Sequence, residues 1–202
     1  MKHSLLLVAV VALVAFAAPA HSQYMFLDTN ADGVCNTSDL LGPASTSVDV
    51  WLDTDSNQDA TPAVCSSSSN LFTINSYEVI LRATGTLTYG AWTDNMAFAT
   101  VLGNAQAGTD FYAGRGSGTV LAPGTYKLGS VAISGVASGA TLSIVSSTSA
   151  SPTALTSFGS QCEGLDFDNT LKLPTDWNNV CGTASPTPTT ATTWGHIKNI
   201  YR

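Results

Sequence analysis

Histidine is nearly missing from this chain of 202 residues: His3, His21 and His196 are the only three, and none lies in the long central stretch. That removes histidine-based nucleophile triads and histidine metal centres from the body of the protein. Glutamate is scarcer still, with Glu78 and Glu163 alone, so the carboxylate pair of a glycosidase has little to draw on. Lys and Arg do not occur from Gln23 to Leu81, which argues against nucleic acid, whose phosphates need a basic footprint. No C-x-x-C spacing with a nearby histidine offers a tetrahedral zinc site. Beyond the first eighteen residues no apolar run approaches the ~20 residues that span a bilayer. The sequence therefore reads as a non-enzyme.

What is present begins with a leader. Met1-Lys2-His3 is a short basic start, Ser4 to Ala18 is almost wholly apolar, and Ala20-His21-Ser22 places small residues before Gln23. This is the pattern of a secretory signal peptide over residues 1–22. The expectation is a protein secreted to the extracellular space or cell surface, without a transmembrane segment once the leader is removed. Six Lys/Arg then stand against fourteen Asp/Glu, a net charge of −8. About 180 residues suit one domain with a real core. Seven of the fourteen acids fall between Asp28 and Asp59. Carboxylates crowded without a basic neighbour repel one another unless a cation neutralises them.

The densest part of that acidic stretch is Asp28-Thr29-Asn30-Ala31-Asp32-Gly33-Val34-Cys35-Asn36-Thr37-Ser38-Asp39. Calcium is a hard cation that takes six to eight oxygen ligands, and twelve-residue loops supply them from positions 1, 3, 5, 7, 9 and 12. Those positions hold Asp28, Asn30, Asp32, the Val34 carbonyl, Asn36 and Asp39, with Gly33 at the sharp turn of position 6. The last ligand is Asp where an EF-hand has Glu. The alternative is an Asx-rich surface turn, since Asn, Asp and Gly also dominate ordinary turns. Asp28 to Leu41, DTNADGVCNTSDLL, resembles one calcium-binding repeat of the dockerin modules of cellulosome-type assemblies. A dockerin has two such repeats, each with a full helix. Here Gly42-Pro43 is expected to stop the helix after one turn, and no second repeat carries Gly at position 6. The resemblance implies that Asp28, Asn30, Asp32, Asn36 and Asp39 hold Ca2+.

Asp53-Thr54-Asp55-Ser56-Asn57-Gln58-Asp59 repeats the alternation with Gln58 in place of glycine. It reads as a second, looser calcium site through Asp53, Asp55, Asn57 and Asp59, as a donor of one carboxylate to the first, or as a solvated turn. Asp166-Phe167-Asp168-Asn169 is a fainter candidate and more loop-like. The four cysteines, Cys35, Cys65, Cys162 and Cys181, imply two disulfides in an exported protein. Three connectivities are possible, with neighbour pairing the favoured one.

From Ser47 onward the period is two. Val48, Val50 and Leu52 alternate with Asp49 and Trp51, the signature of a half-buried strand. Further strands are expected over Phe72 to Ala83, Leu87 to Tyr89, Met96 to Leu102, Asp110 to Ala113, Thr119 to Leu121, Tyr126 to Ser134 and Ala140 to Ser146. Turns are expected at Gly103-Asn104, Gly114 to Gly118 and Ala122-Pro123-Gly124. This spacing predicts an all-β fold, an antiparallel two-sheet sandwich, preceded by the EF-hand-like calcium loop. The order of Val48 to Leu52, Ser76 to Thr84 and Tyr126 to Ser134 resembles the jelly-roll sandwich of cohesins and carbohydrate-binding modules. That resemblance implies binding of an extracellular protein or polysaccharide. For a polysaccharide, Trp51, Tyr89, Trp92, Tyr112 and Trp177 are the candidate stacking platforms; the ordinary role of such rings is core.

Ser185 to Thr193, SPTPTTATT, is a Pro/Thr linker. Trp194 to Arg202 behind it is an aromatic and basic tail, read either as an attachment tag or as a terminus. The chain thus divides into a leader (1–22), a calcium loop (23–45), a β-sandwich (46–184) and the linker with its tail (185–202). Two functions fit: a calcium-binding structural or adhesive module of an extracellular surface assembly, or a carbohydrate-binding module associated with polysaccharide breakdown.

Overall fold

Alternating apolar side chains give each strand one face for a shared core. The computed structural model describes residues 24–56, 61–65, 70–148, 151 and 153–160, and the backbone of 170–172 and 176–177. The leader, Asn57, Asp59, Asp166 to Asn169, Cys162, Cys181 and the tail lie outside the described residues.

Eleven strands are described: β1 (Tyr24–Asp28), β2 (Ser47–Asp53), β3 (Ile74–Thr84), β4 (Thr88–Asp94), β5 (Thr100–Ala107), β6 (Asp110–Leu121), β7 (Thr125–Ser134), β8 (Thr141–Ile144), β9 (Ser157–Ser160), β10 (Thr170–Lys172) and β11 (Asp176–Trp177). They form two sheets, ordered β11-β1-β2-β7-β4 and β10-β9-β3-β6-β5, with β8 on the far part of β3. Pairing is antiparallel throughout except between β1 and β11.

The inward sets include those the alternation marks on β2 and β3. Met25 and Leu27, Val48, Val50 and Leu52, Tyr77, Val79 and Leu81, Phe111 and Ala113, and Leu128, Val131 and Ile133 share one buried cluster between the sheets. Burying each large aliphatic or aromatic side chain stabilises by about 1.5–3 kcal/mol relative to exposure. Two polar ties cross the same gap. The Tyr77 hydroxyl donates to the Leu128 carbonyl oxygen at 2.7 Å, and Arg115 on β6 meets Asp94 on β4.

Three expectations need correction. The strand expected over Met96 to Leu102 is broken: Met96–Phe98 is a 3-10 turn, and β5 starts only at Thr100. Asn95 causes this by accepting the Ala97 N–H at 2.9 Å, which competes with ladder formation. Gly103-Asn104 is no turn but part of β5, and Gly114 to Gly118 joins the two expected short strands into one β6. Those glycines serve close approach. The Tyr112 ring lies against Gly103 and Gly114, where a Cβ would stand 2.6 Å from its Cε1 and hydroxyl respectively.

A paired substitution checks this. Gly114→Ala is expected to destabilise by about 1–3 kcal/mol through overpacking against Tyr112. Gly118→Ala, on the same strand with nothing within 4 Å of the added carbon, should change stability by roughly 0.5 kcal/mol or less. Equal urea midpoints for the two variants would contradict the packing argument.

Candidate metal centre

Met25 and Leu27 point into the core, so Tyr24, Phe26 and Asp28 of β1 lie on the outer face of their sheet. The register sets Phe26 opposite Trp51 and Asp28 opposite Asp49 on β2. Tyr24, Phe26 and Trp51 stack in sequence, with ring centroids 5.7 and 6.1 Å apart. The acidic loop closes over this stack: a Cβ on Gly33 would stand 3.3 Å from the Trp51 ring. The loop therefore does not stand before the sandwich, as the sequence reading had it, but joins two paired strands of one sheet. No helix enters or leaves it. Asp39 to Leu41, expected as a helical turn, is irregular, with Leu40 N–H turned back to the Ser38 carbonyl at 2.9 Å.

The loop is held by its own carboxylates. Asp28 Oδ1 accepts from the N–H groups of Asn30 (3.0 Å) and Ala31 (2.7 Å), and Oδ2 from Gly33 (2.8 Å). Asp39 accepts from Thr29 N–H at 3.0 Å and Asn36 N–H at 2.9 Å. Gly33 sits at φ 76° as its position requires, and Ala31 at φ 61°. A left-handed conformation costs an L-residue about 1–2 kcal/mol, which the Asp28 bonds offset. Thr29, Ala31, Ser38 and Trp51 were not singled out for this loop from the sequence. Nothing in the sequence marks Ala31 for a strained backbone.

Asp28 and Asp39 are both buried, at 1% and 0% exposure, and their carboxyls come within hydrogen-bond reach of each other. Burial pushes the Asp39 carboxyl above its ordinary pKa, and the like charge of Asp28 adds to this; the Asn36 and Thr29 N–H groups act against it. The ion pairs among the described residues are Arg82–Asp110, Arg115–Asp94 and Lys127–Asp49. None serves Asp28 or Asp39. Their neighbour Asp49 is by contrast satisfied, bonded to Lys127 Nζ at 2.5 Å and Ser130 Oγ at 2.6 Å.

Asp32 stands apart on the exposed rim. The Val34 N–H, and then the Asn36 amide, hold its carboxyl below the usual pKa. Its Oδ2 accepts from Asn30 Nδ2 (3.1 Å) and Asn36 Nδ2 (2.9 Å). The Val34 carbonyl accepts from Asn36 Nδ2 at 3.2 Å. The structure thus brings Asp28 and Asp39 together and gathers Asn30, Asp32, Val34 and Asn36 at the rim. It does not converge three acidic side chains: among the described residues no three His, Cys, Asp or Glu side chains cluster.

The second acidic stretch is partly described. Asp53 pairs with Tyr24, at the other end of β1 from Asp28, roughly 14 Å away by strand rise. It cannot lend a carboxylate to the first loop. Its Oδ1 accepts from Ser56 N–H (2.8 Å) and Asp55 N–H (3.1 Å), and its Oδ2 from Thr125 Oγ1 (3.0 Å). Burial, and then the adjacent Asp55 carboxyl, raise the Asp53 pKa.

Three of the five candidate sugar platforms lie in the interior. Tyr89, Trp92 and Tyr112 are buried: Tyr89 and Trp92 pack on Phe111 at 5.4 and 6.0 Å. Tyr112 lies over its two glycines and donates to Glu78 Oε1 at 3.0 Å. Burial, and then Glu78, push the Tyr112 pKa up to about 12. Trp51 is half-buried beneath the loop, and only the backbone of Trp177 is described. Glu78 also accepts from Leu155 N–H at 3.2 Å, so it ties the 151–156 segment to β3.

Cys35, inside the loop, and Cys65, in the core, are both disulfide-bonded. Among the described residues no cysteine is free. All four cysteines are expected to resist a thiol reagent in the denatured, unreduced protein; labelling of any one before reduction would overturn the two-disulfide reading.

No protein-family model and no curated protein matches the chain. Two solved structures are similar at low identity. One is a type III cohesin module from the cellulosomal ScaE cell-surface anchoring scaffoldin of Ruminococcus flavefaciens, with a TM-score of 0.45 and 9% identity over 79% of this chain and 86% of that one. The other is the sixth cohesin from Acetivibrio cellulolyticus' scaffoldin B, in complex with a Cel5 dockerin mutant, with a TM-score of 0.43 and 12% identity over 78% and 95%.

Proposed function

We propose that this chain is a calcium-binding, non-catalytic β-sandwich that serves as a structural or adhesive module of an extracellular surface assembly. The observation that supports it is the buried Asp28–Asp39 pair. The two carboxyls lie within reach of each other, removed from water and with no basic partner among the described residues, and burial together with the Asp28 charge disfavours the Asp39 anion. A divalent cation relieves that cost directly. The donors fit a hard ion, being carboxylate, amide and carbonyl oxygens. Asn30 and Asn36 now turn N–H groups to Asp32; rotating either amide presents an oxygen to the same place. The Val34 carbonyl completes the rim, and Ca2+ bound there would tie the loop to both strands. The leader expected at residues 1–22 suits export, and a protein or polysaccharide partner outside the cell follows from that reading. The carbohydrate-binding alternative is weaker, because Tyr89, Trp92 and Tyr112 contribute no exposed platform.

Titration calorimetry with Ca2+ tests this. The wild type is expected to bind one calcium tightly, and Asp39→Asn to weaken it at least tenfold while the β-sheet circular dichroism stays unchanged. A wild type that takes up no calcium at millimolar concentration would end the proposal. Asp53→Asn should leave the tight site intact, since it lies at the far end of β1.

A further inference from the structure

The chain carries fourteen acids against seven basic residues, so copies of it repel one another over most of their surface. Several long stretches escape this, and one of them forms a long outer strand. From Asn95 to Thr109 there is no charged residue and no proline, and β5 occupies eight residues of it. β5 is also the last strand of its sheet, so one of its edges has no neighbouring strand among the described residues. Its side chains are mostly exposed, Val101 at 60% and Leu102 at 57%, and Met96 just before it at 96%.

Proteins protect such edges with short strands, charges, proline or bulges. The other outer strands described here have that protection. β8, β10 and β11 have two to four residues each. β4 ends in Asp94 and is interrupted between Tyr89 and Trp92. β5 has one irregularity, between Val101 and Gly103, and then pairs regularly with β6 from Gly103 to Ala107. It keeps a regular five-residue run with nothing on it to discourage pairing.

We infer that the β5 edge is a self-association surface, on which a second copy of this chain adds its own β5 antiparallel across a two-fold axis. The occupant is a second copy for an electrostatic reason. This neutral edge is where two bodies of the same negative sign can approach without setting carboxylate against carboxylate, and an antiparallel pair of identical strands is self-complementary. Val101 and Leu102 fall on opposite faces of the strand, so each face of the joined sheet gains an apolar contact. Two strands bury less than the ~800 Å² per partner of a standard interface, so the dimer is weak.

Sedimentation velocity across a concentration series is the test. The wild type is expected to shift from monomer to dimer. The shift should strengthen with added salt, because screening weakens carboxylate repulsion while the neutral contact is unaffected. Val101→Lys combined with Leu102→Lys should weaken the dimer at least tenfold without lowering the melting temperature, both side chains being exposed. Leu40→Lys, at a residue equally exposed but on a different part of the surface, should leave it unchanged. A wild type that stays monomeric to 1 mM, or a dimer indifferent to the Val101 and Leu102 changes, would overturn the inference.

Discussion

Asp94→Ala is expected to cost about 3–5 kcal/mol, because it strands the Arg115 guanidinium inside the sandwich. Arg115 is 3% exposed and reaches from β6 to the other sheet, where its Nε donates to Asp94 Oδ1 at 2.5 Å. Its Nη1 donates to the carbonyls of Gly103 and Gly114, each at 2.8 Å. A cation at that depth depends on its counter-ion, while Asp94, a third exposed, can turn to water. The two partners are therefore unequal. Arg115→Met removes the charge together with its need for a partner and fills similar volume, so it should cost less than Asp94→Ala. The double variant should resemble Arg115→Met alone. For a domain of this size a 3 kcal/mol loss lowers the melting temperature by roughly 6–12 °C. Urea unfolding that placed Asp94→Ala within 1 kcal/mol of wild type would show that Arg115 finds other compensation.

On the proposed function, calcium is expected to give the second large effect. With an ion bound only to the folded state, at a hundred times its dissociation constant, stability rises by about 2.7 kcal/mol. A chelator should lower the melting temperature accordingly, and calcium should restore it better than magnesium, which demands a tight octahedron and sheds its waters reluctantly. The effect should depend on pH in a defined direction. Asp39 and Asp53 have raised pKa values, chiefly through burial. Their carboxyls hold protons more tightly folded than unfolded, so their contribution to stability is full below the unfolded value of about 3.9 and is lost as pH rises through the folded values. Asp110 goes the other way: the Arg82 hydrogen bond lowers its pKa. Its contribution is present above the unfolded value and is lost only as pH falls through the folded one. Between the unfolded carboxylate pKa and neutrality, the metal-free protein should therefore lose stability as pH rises, and the chelator effect should grow over the same interval. A chelator effect as large at pH 4 as at pH 7 would contradict the view that protons and calcium compete for Asp39.

The fold class was legible because a period of two survives in β2 and β3. Val48, Val50 and Leu52 had to share a face, and so did Tyr77, Val79 and Leu81, whatever lay opposite them. The sharp turn at Gly33 was legible for a similar reason: Asn and Asp on alternate residues ahead of a glycine are a local property of twelve residues, and Gly33 takes a positive φ. Local pattern failed where the deciding partner was remote. Gly114 to Gly118 looked like a turn because nothing in the sequence says that the Tyr112 ring must pass over Gly103 and Gly114. The aromatic residues Tyr89, Trp92 and Tyr112 look alike as platforms or core until Phe111 and Glu78 are seen against them. The loop looked like a preface to the domain because β1 is five residues long and shows its role only when paired with β2. Composition and spacing alone determined a β-rich, acidic chain with a loop of calcium-type oxygens and no histidine chemistry in its body. Only the tertiary structure decided that Asp28 and Asp39 meet in a buried pair while Asp32 stays at the rim, because burial and charge pairing depend on which strands lie side by side.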